Sequence, residues 1–336
     1  MPATIDQIAA RAGISAGTVS RILDGKNKEN RPTMVERADR VRALAAELGY
    51  RPNLAARSVA LGRFKTWGFV TCGHAELEWF PRRALQGMTA ACEPLGHRVG
   101  FFEFSGNTLK NPSIAPCLFR EAGVDGFVVH LFPAFQDLAQ KHFEAQPLPF
   151  VILNQDGPKS CVLPDDEQGA RVLTQHLIAK GHRRIGYFCH AHFGSPPHSH
   201  YTRLRGFQNA MTSAGLDPSR VYTNAHVDAS QVIAIDEGAV FLRRFPDLQA
   251  VVCWEQRNML TLQLAGERTG IRMGRDFAVA MFAGDATSLP CYTEPIVARV
   301  PFPECGRIAV EILDDMYRSG KRTFDSVKVP YTEFCV

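Results

Sequence analysis

At 336 residues the chain is too long for one ordinary domain and suits a small module joined to a two-lobed body. A hydrophobic content of 45% with 21% charged residues is that of a soluble globular protein, and no uninterrupted apolar stretch is long enough for a bilayer span, which excludes a membrane protein. The net charge of +4 is unevenly spread: residues 1–63 hold eleven Lys or Arg against six Asp or Glu, a net of +5, which leaves the remainder at −1. A positive head on a near-neutral body suits phosphate binding, although charge alone also allows a merely soluble basic surface.

The opening residues MPATIDQIAA have neither the basic start nor the apolar run of a secretory signal, so the expected location is the cytoplasm, where thiols stay reduced. The nine cysteines stand singly at Cys72, Cys92, Cys117, Cys161, Cys189, Cys253, Cys291, Cys305 and Cys335. An odd number without a CxxC pair argues against a disulfide framework and against a zinc ribbon.

Thr4 and Gln7 form a capping-box pattern that starts a helix through Ala12, with Ile5, Ile8, Ala9 and Ala12 on one face and Gly13 as its stop. Ser15 caps a second helix, Ala16 to Leu23, in which Val19, Ile22 and Leu23 face inward while Ala16, Gly17, Ser20 and Arg21 point elsewhere. Two short helices joined by a tight Gly-containing turn predict a helix-turn-helix. After the loop GKNKENRP, Thr33 and Glu36 predict another capping box, opening a helix to about Leu48 whose apolar face (Val41, Leu44, Ala45, Leu48) covers the first two. In that loop Lys26, Lys28 and Arg31 either reach phosphates or simply keep a charged loop solvated.

From Trp67 onward, apolar runs alternate with helical sequence: WGFVT, RVGFFEF, GFVVHL, FVIL, RIGYF, AVVCW and FAVAMFA. This is the pattern of parallel sheets built from βαβ units, long enough for two sheets that bind ligands at the carboxyl ends of their strands. The fold class expected is α/β: a three-helix head and hinge, then two parallel sheets flanked by helices. No repeat of 20–50 residues and no low-complexity tract is visible.

The string TIDQIAARAGISAGTVSRILDG, followed by ELGYRPNLAARSVALG, resembles the head and hinge of the LacI/GalR family of bacterial regulators, and VDGFVV, LIAKGHRRIGYF, RLRGFQNAM and PECGRIAVEIL extend the likeness through the body. The resemblance implies a helix-turn-helix domain at 1–49, a hinge helix and linker at 50–63, and a periplasmic-binding-protein-like core at 64–336. Within that core it implies an N-lobe of about 64–160 and 297–325 and a C-lobe of about 161–296 and 326–336. It also implies a homodimer on a pseudo-palindromic operator, since one head reads one half-site, with repression the commoner mode.

In that family the second helix lies in the major groove. Arg21 carries a guanidinium fork suited to guanine acceptors, while Thr4, Ser15, Thr18 and Ser20 offer hydroxyls and helix-end amides to phosphates. Ala16 and Gly17 occupy the usual base-reading positions with a methyl and with nothing, so direct readout there is limited to a thymine methyl. The family's short helix that folds on DNA matches Asn53 to Ala60, including Ala56, with Val59 at the minor-groove wedge; the alternative is a plain linker helix.

For a small-molecule effector between the lobes, a sugar or sugar derivative, the family's contacts fall on Asn154, Arg203, the pair Trp254 and Glu255, and Ala283. Arg203 keeps its motif, and it and Asn154 either line the pocket or pack at a helix start. Trp254 replaces an Asn and offers an indole for stacking; Ala283 removes a carboxylate. The stretch CGHAELEWF brings His74, Glu76, Glu78, Trp79 and Phe80 to the same region, with Trp79 either a second stacking platform or lobe packing. His190, His192, His198 and His200 precede Arg203, with Ser199 among them, but no Cys or acid completes a ligand spacing, so a polar pocket wall is expected rather than a metal.

No cofactor is expected. A solute-binding protein would need export and would leave residues 1–63 without a role. An enzyme would need a catalytic signature, and GxSxG, GxGxxG, P-loop and HExxH patterns are lacking in suitable context. A regulator without a small-molecule effector stays open, given the losses at 254 and 283.

Overall fold

The computed structural model describes residues 3–25, 31–52, 58, 62–73, 82–111, 121–131, 135–157, 159–190, 196–224, 234–284 and 294–335. The chain divides into two compact units, Met1–Phe64 and Lys65–Val336.

In the first unit, α1 (Ile5–Ala12) opens with a complete capping box: the Gln7 amide donates to Thr4 Oγ1 at 3.3 Å, and the Thr4 amide donates to Gln7 Oε1 at 3.0 Å. Gly13 closes it at φ 69°, a conformation open to glycine for want of a Cβ. The next helix, α2 (Ala16–Leu23), is capped by Ser15. The third, α3 (Pro32–Glu47), starts before the expected Thr33, and no side-chain cap bond forms at Arg31. The capping box expected at Thr33 and Glu36 therefore does not open this helix; Pro32, with its fixed φ and no N–H to satisfy, does. Ile8, Val19, Ile22 and Val41 are 0–2% exposed and meet at the centre of the three helices. Each such burial contributes about 1.5–3 kcal/mol, the main stabilisation of so small a unit. Ala38 joins this core, and Ala16, expected to point away, packs partly against it.

The second unit runs β1 (Thr66–Gly73), α4 (Arg82–Cys92), β2 (Arg98–Ser105), α5 (Gly106–Lys110), β3 (Gly126–His130), α6 (Gln136–Glu144), β4 (Phe150–Leu153) and β5 (Cys161–Pro164). It continues α7 (Asp166–Ala179), β6 (Ile185–His190), α8 (His198–Ser213), β7 (Val221–Asn224), α9 (Ile235–Arg244), β8 (Ala250–Cys253) and α10 (Gln256–Thr269). It ends β9 (Ala278–Ala283), β10 (Ile296–Arg299), α11 (Phe302–Ser319), β11 (Val327–Val329) and β12 (Phe334–Cys335).

Among the described residues two six-stranded sheets form, ordered β2-β1-β3-β4-β5-β11 and β7-β6-β8-β9-β10-β12, parallel throughout except where β12 meets β10. The two orders are the same, a structural duplication that no sequence repeat discloses. The apolar runs form strands because both faces are covered: in the first sheet Val128 turns to one core and Val129 to another, as do Val252 and Val251 in the second.

The lobe boundaries expected near 160, 296 and 325 move. Cys161–Pro164 and Val327–Val329 pair within the first sheet, and Ile296–Arg299 within the second. These strands have three or four residues, too few for a periodicity to show; pairing assigns them. The chain thus crosses between the sheets after Pro164, after Arg299 and after Val329. Near the second crossing α11 lies close on α4, and a Cβ on Gly306 would stand 2.0 Å from the Ala84 carbonyl oxygen.

Candidate DNA-reading helix and ligand cleft

In α2 the sequence-predicted contacts share one region. Gly17 and Arg21 are exposed, and Ala16, Thr18 and Ser20 are half-buried. Ser15 Oγ accepts from the Thr18 amide at 3.3 Å and lies 2.9 Å from Thr18 Oγ1, which fixes the start of the helix. A Cβ on Gly17 would meet nothing within 4 Å, so the missing reader leaves open space rather than a packed contact. Arg21 Nε donates to the Gly17 carbonyl at 3.4 Å, holding the guanidinium along its own helix. Arg11 is turned instead to Glu47 of α3 at 2.9 Å. Asn53, Ala56 and Val59 lie outside the described residues, as do Lys26 and Lys28.

In the body, the start of α7, the start of α8, the ends of β8 and β9 and the last crossing bring charged groups together. Arg203, 6% exposed, donates from Nε to Asp166 Oδ1 at 2.7 Å, from Nη1 to the Trp254 carbonyl at 2.6 Å and from Nη2 to the Tyr331 hydroxyl at 3.3 Å. Tyr331 in turn donates to Asp166 Oδ1 at 2.6 Å, and His198 Nε2 stands 3.4 Å from Asp166 Oδ2. The guanidinium lies 4.1 Å from the centre of the Phe282 ring and 5.9 Å from that of Trp254. Burial alone would raise the pKa of Asp166, but the Arg203 charge, with bonds from His198 and Tyr331, outweighs it and holds the carboxyl well below the usual range. Arg203 is correspondingly fixed in its charged form by Asp166 against the opposing effect of burial.

The helices can approach this closely because Gly206, one turn after Arg203, faces α7: a Cβ there would stand 2.3 Å from the Glu167 carbonyl oxygen. Trp254 is 4% exposed, enclosed between Arg203 and the edge of His200 at 6.5 Å, rather than an open platform. Glu255 follows it, half-buried, and burial raises its pKa against the pull of Arg257, Arg203 and His190. Ser199 and Ala283 are buried at 7% and 6%. Asn154 directly follows β4, with φ 58° and its backbone amide donating to the Val162 carbonyl at 2.8 Å.

The described histidines do not converge. His190 Nδ1 pairs with Glu237 at 2.5 Å, His200 Nδ1 lies 3.2 Å from Cys189 Sγ, and His198 faces Asp166. Among the described residues no group of three or more His, Cys, Asp or Glu is placed to hold a metal ion. His192, His74, Glu76, Glu78, Trp79 and Phe80 fall outside the described residues. Sequence reasoning missed Asp166, Phe282 and Tyr331. Asp166 is visible only as one of three acids opening a helix, and nothing local announces that its partners lie 37 and 165 positions away.

Residues 4–53 match the model of the bacterial regulatory proteins of the lacI family, and residues 174–336 match the periplasmic binding protein-like domain. The HTH-type transcriptional repressor PurR of Photobacterium profundum is 28% identical over 320 residues, covering 93% of this chain and 91% of that protein. The head of this chain is thus a helix-turn-helix of the lacI family. The HTH-type transcriptional regulator GalR of Escherichia coli is 29% identical over 222 residues, covering 64% of this chain and 60% of GalR. A lac repressor dimer bound to operator and the anti-inducer ONPF superposes on this chain with a TM-score of 0.74 at 20% identity, covering 99% and 97% of the two chains. The regulator CelR in complex with cellobiose gives 0.65 at 23% identity, covering 99% and 98%. At those identities the likeness shows the fold. The matched head and the curated relatives make this a DNA-binding transcriptional regulator and not an enzyme. Among the described residues no helix is long and apolar enough to cross a membrane.

Proposed function

We propose that this LacI-family regulator is a cytoplasmic repressor that binds a pseudo-palindromic operator as a homodimer and is controlled by a carbohydrate-class effector between the lobes of its body. The observation that carries the reading is the capped helix α2, with Gly17 and Arg21 exposed, on a basic three-helix unit joined to a two-sheet body. Arg21 reads bases, and Thr4, Ser15, Thr18 and Ser20 hold phosphates, with Ala16 and Gly17 passing close to the base edges. Asn53, Ala56 and Val59 are assigned to the hinge segment and its wedge. Asn154, His198, Ser199, Arg203, Trp254, Glu255 and Ala283, with His74, Glu76, Trp79 and Phe80, are assigned to the effector cleft. Support comes from the relatives: one structural neighbour is a dimer on operator and another holds cellobiose.

An effector that prefers one lobe arrangement shifts the operator affinity only by its difference in affinity for the two arrangements. Fluorescence anisotropy with a selected operator and with random DNA tests the reading. Arg21→Ala is expected to weaken operator binding by about 1–3 kcal/mol while random DNA changes little. Equal losses on both DNAs would reduce Arg21 to a phosphate contact.

A further inference from the structure

Two of the crossings between the sheets, near 299–303 and 329–333, line a cavity of about 500 Å³ whose wall includes none of the residues assigned above to the effector cleft. The volume is that of a small-molecule site. Alternate residues of each crossing divide between two faces. Pro301 and Pro303 line the cavity while Phe302, between them, is buried in the core; Pro330 and Thr332 line it while Tyr331, between them, is buried against Asp166 and Arg203. The cavity therefore lies across these crossings from the buried ion pair. Its floor is apolar: Val300 and Val329 are buried, Ile308 joins them, and the three prolines have no N–H to offer.

The charges of the wall do not cancel. Arg83, Arg299 and Lys328 line the cavity with Glu304 and Glu333. Arg307 donates to both carboxylate oxygens of Glu304, at 2.8 Å and 2.5 Å, and also binds Glu311. Arg299 stands 3.9 Å from Glu333. Four cations thus face three carboxylates, a surplus of one. Among the described residues the side chains of Arg83, half-buried at the start of α4, and Lys328, in β11, form no ion pair. A carboxylate matches the guanidinium fork of Arg83 and balances the surplus, whereas the second charge of a phosphate monoester would be repelled by Glu304 and Glu333. We propose that this cavity is a second ligand site, for a small organic monocarboxylate with a compact aromatic or branched body. Its occupant touches Arg83 and Lys328 on elements of the first sheet's side and Arg299 at the end of β10, in the second sheet. It thereby favours one arrangement of the lobes and shifts operator affinity. The site stands on this cavity alone; its effect on operator affinity rests on the lobe coupling proposed above.

Isothermal titration of the full-length protein at neutral pH tests the site with benzoate, phenylacetate and isovalerate, their amides, phenyl phosphate and inorganic phosphate. At least one carboxylate is expected to bind ~10-fold tighter than its amide and than either phosphate. Arg83→Gln and Lys328→Gln are each expected to weaken it by ~10-fold, with the thermal midpoint and ligand-free operator binding unchanged. An amide that binds as well as its acid, a phosphate as the tightest ligand, or a carboxylate affinity unchanged in both variants overturns the proposal. So does silence from every carboxylate in protein that still binds operator. Operator anisotropy at saturating carboxylate reads the coupling: a shifted affinity supports it, and an unchanged one overturns the control through the crossings.

Discussion

Asp166, Arg203 and Tyr331 tie the starts of α7 and α8 to the last crossing, with Asp166 and Arg203 as an ion pair. The pair is buried, so its Coulombic gain is offset by the cost of taking two charges out of water, and its removal in halves is what hurts. Arg203→Ala leaves Asp166 buried without its counter-ion and is expected to cost about 3–5 kcal/mol in a denaturant titration, whereas Asp166→Asn combined with Arg203→Met should cost clearly less than the two single losses added. Strict additivity in that cycle would show that the two side chains do not act as a unit. His130, 3% exposed at the end of β3, behaves in the opposite sense, since burial pushes its pKa down to about 4 from 6.5. The unfolded chain therefore takes up the proton first: the contribution of His130 is intact above pH 6.5 and is lost as pH falls from there towards 4. Between about pH 7 and pH 5 this amounts to about 2 kcal/mol. A His130→Asn variant should lose less stability than the parent over that range, and parallel pH profiles for the two would remove His130 as the cause.

At the scale of elements, the contact of α4 with α11 positions the second crossing between the sheets. Gly87 and Gly306 let the two backbones approach, and a Cβ on either would stand 1.9 Å or 2.0 Å from a carbonyl oxygen. Neither backbone can retreat without moving the start of α11 away from β10, so Gly306→Ala should destabilise the body by about 1–3 kcal/mol in thermal unfolding, where an exposed glycine in a helix would gain from the same change. An unchanged midpoint would show that the helices separate freely. The elements themselves were legible in part. The seven apolar runs from WGFVT to FAVAMFA all became strands, α1 begins and ends on the capping residues read from the chain, and α2 begins on Ser15 as read. The strands Cys161–Pro164, Val221–Asn224 and Ile296–Arg299 escaped notice because Pro164, Thr223 with Asn224, and Arg299 interrupt such short apolar runs, and β11 and β12 are shorter still.

For the whole molecule, the proposed pseudo-palindromic operator would be read one half-site per head, which requires two chains paired about a two-fold axis. Sedimentation equilibrium without DNA is expected to give twice the protomer mass at micromolar concentration; a single protomer mass that doubles only on operator would place the pairing on the DNA. The sequence by itself determined the head, because the caps of α1 and α2, helix periodicity and the basic excess are local properties of contiguous residues. It also determined the α/β class of the body, because strands buried on both faces must be written as unbroken apolar runs. Only the tertiary structure decided which sheet each short strand joins and that Arg203 spends its charge on Asp166 and Tyr331. The physical reason is distance along the chain: the buried cluster joins groups 37 and 165 positions apart, and β11 pairs with β5 across 165 positions, approaches that the packing of α7, α8 and the crossings decides and that leave no period or spacing to read.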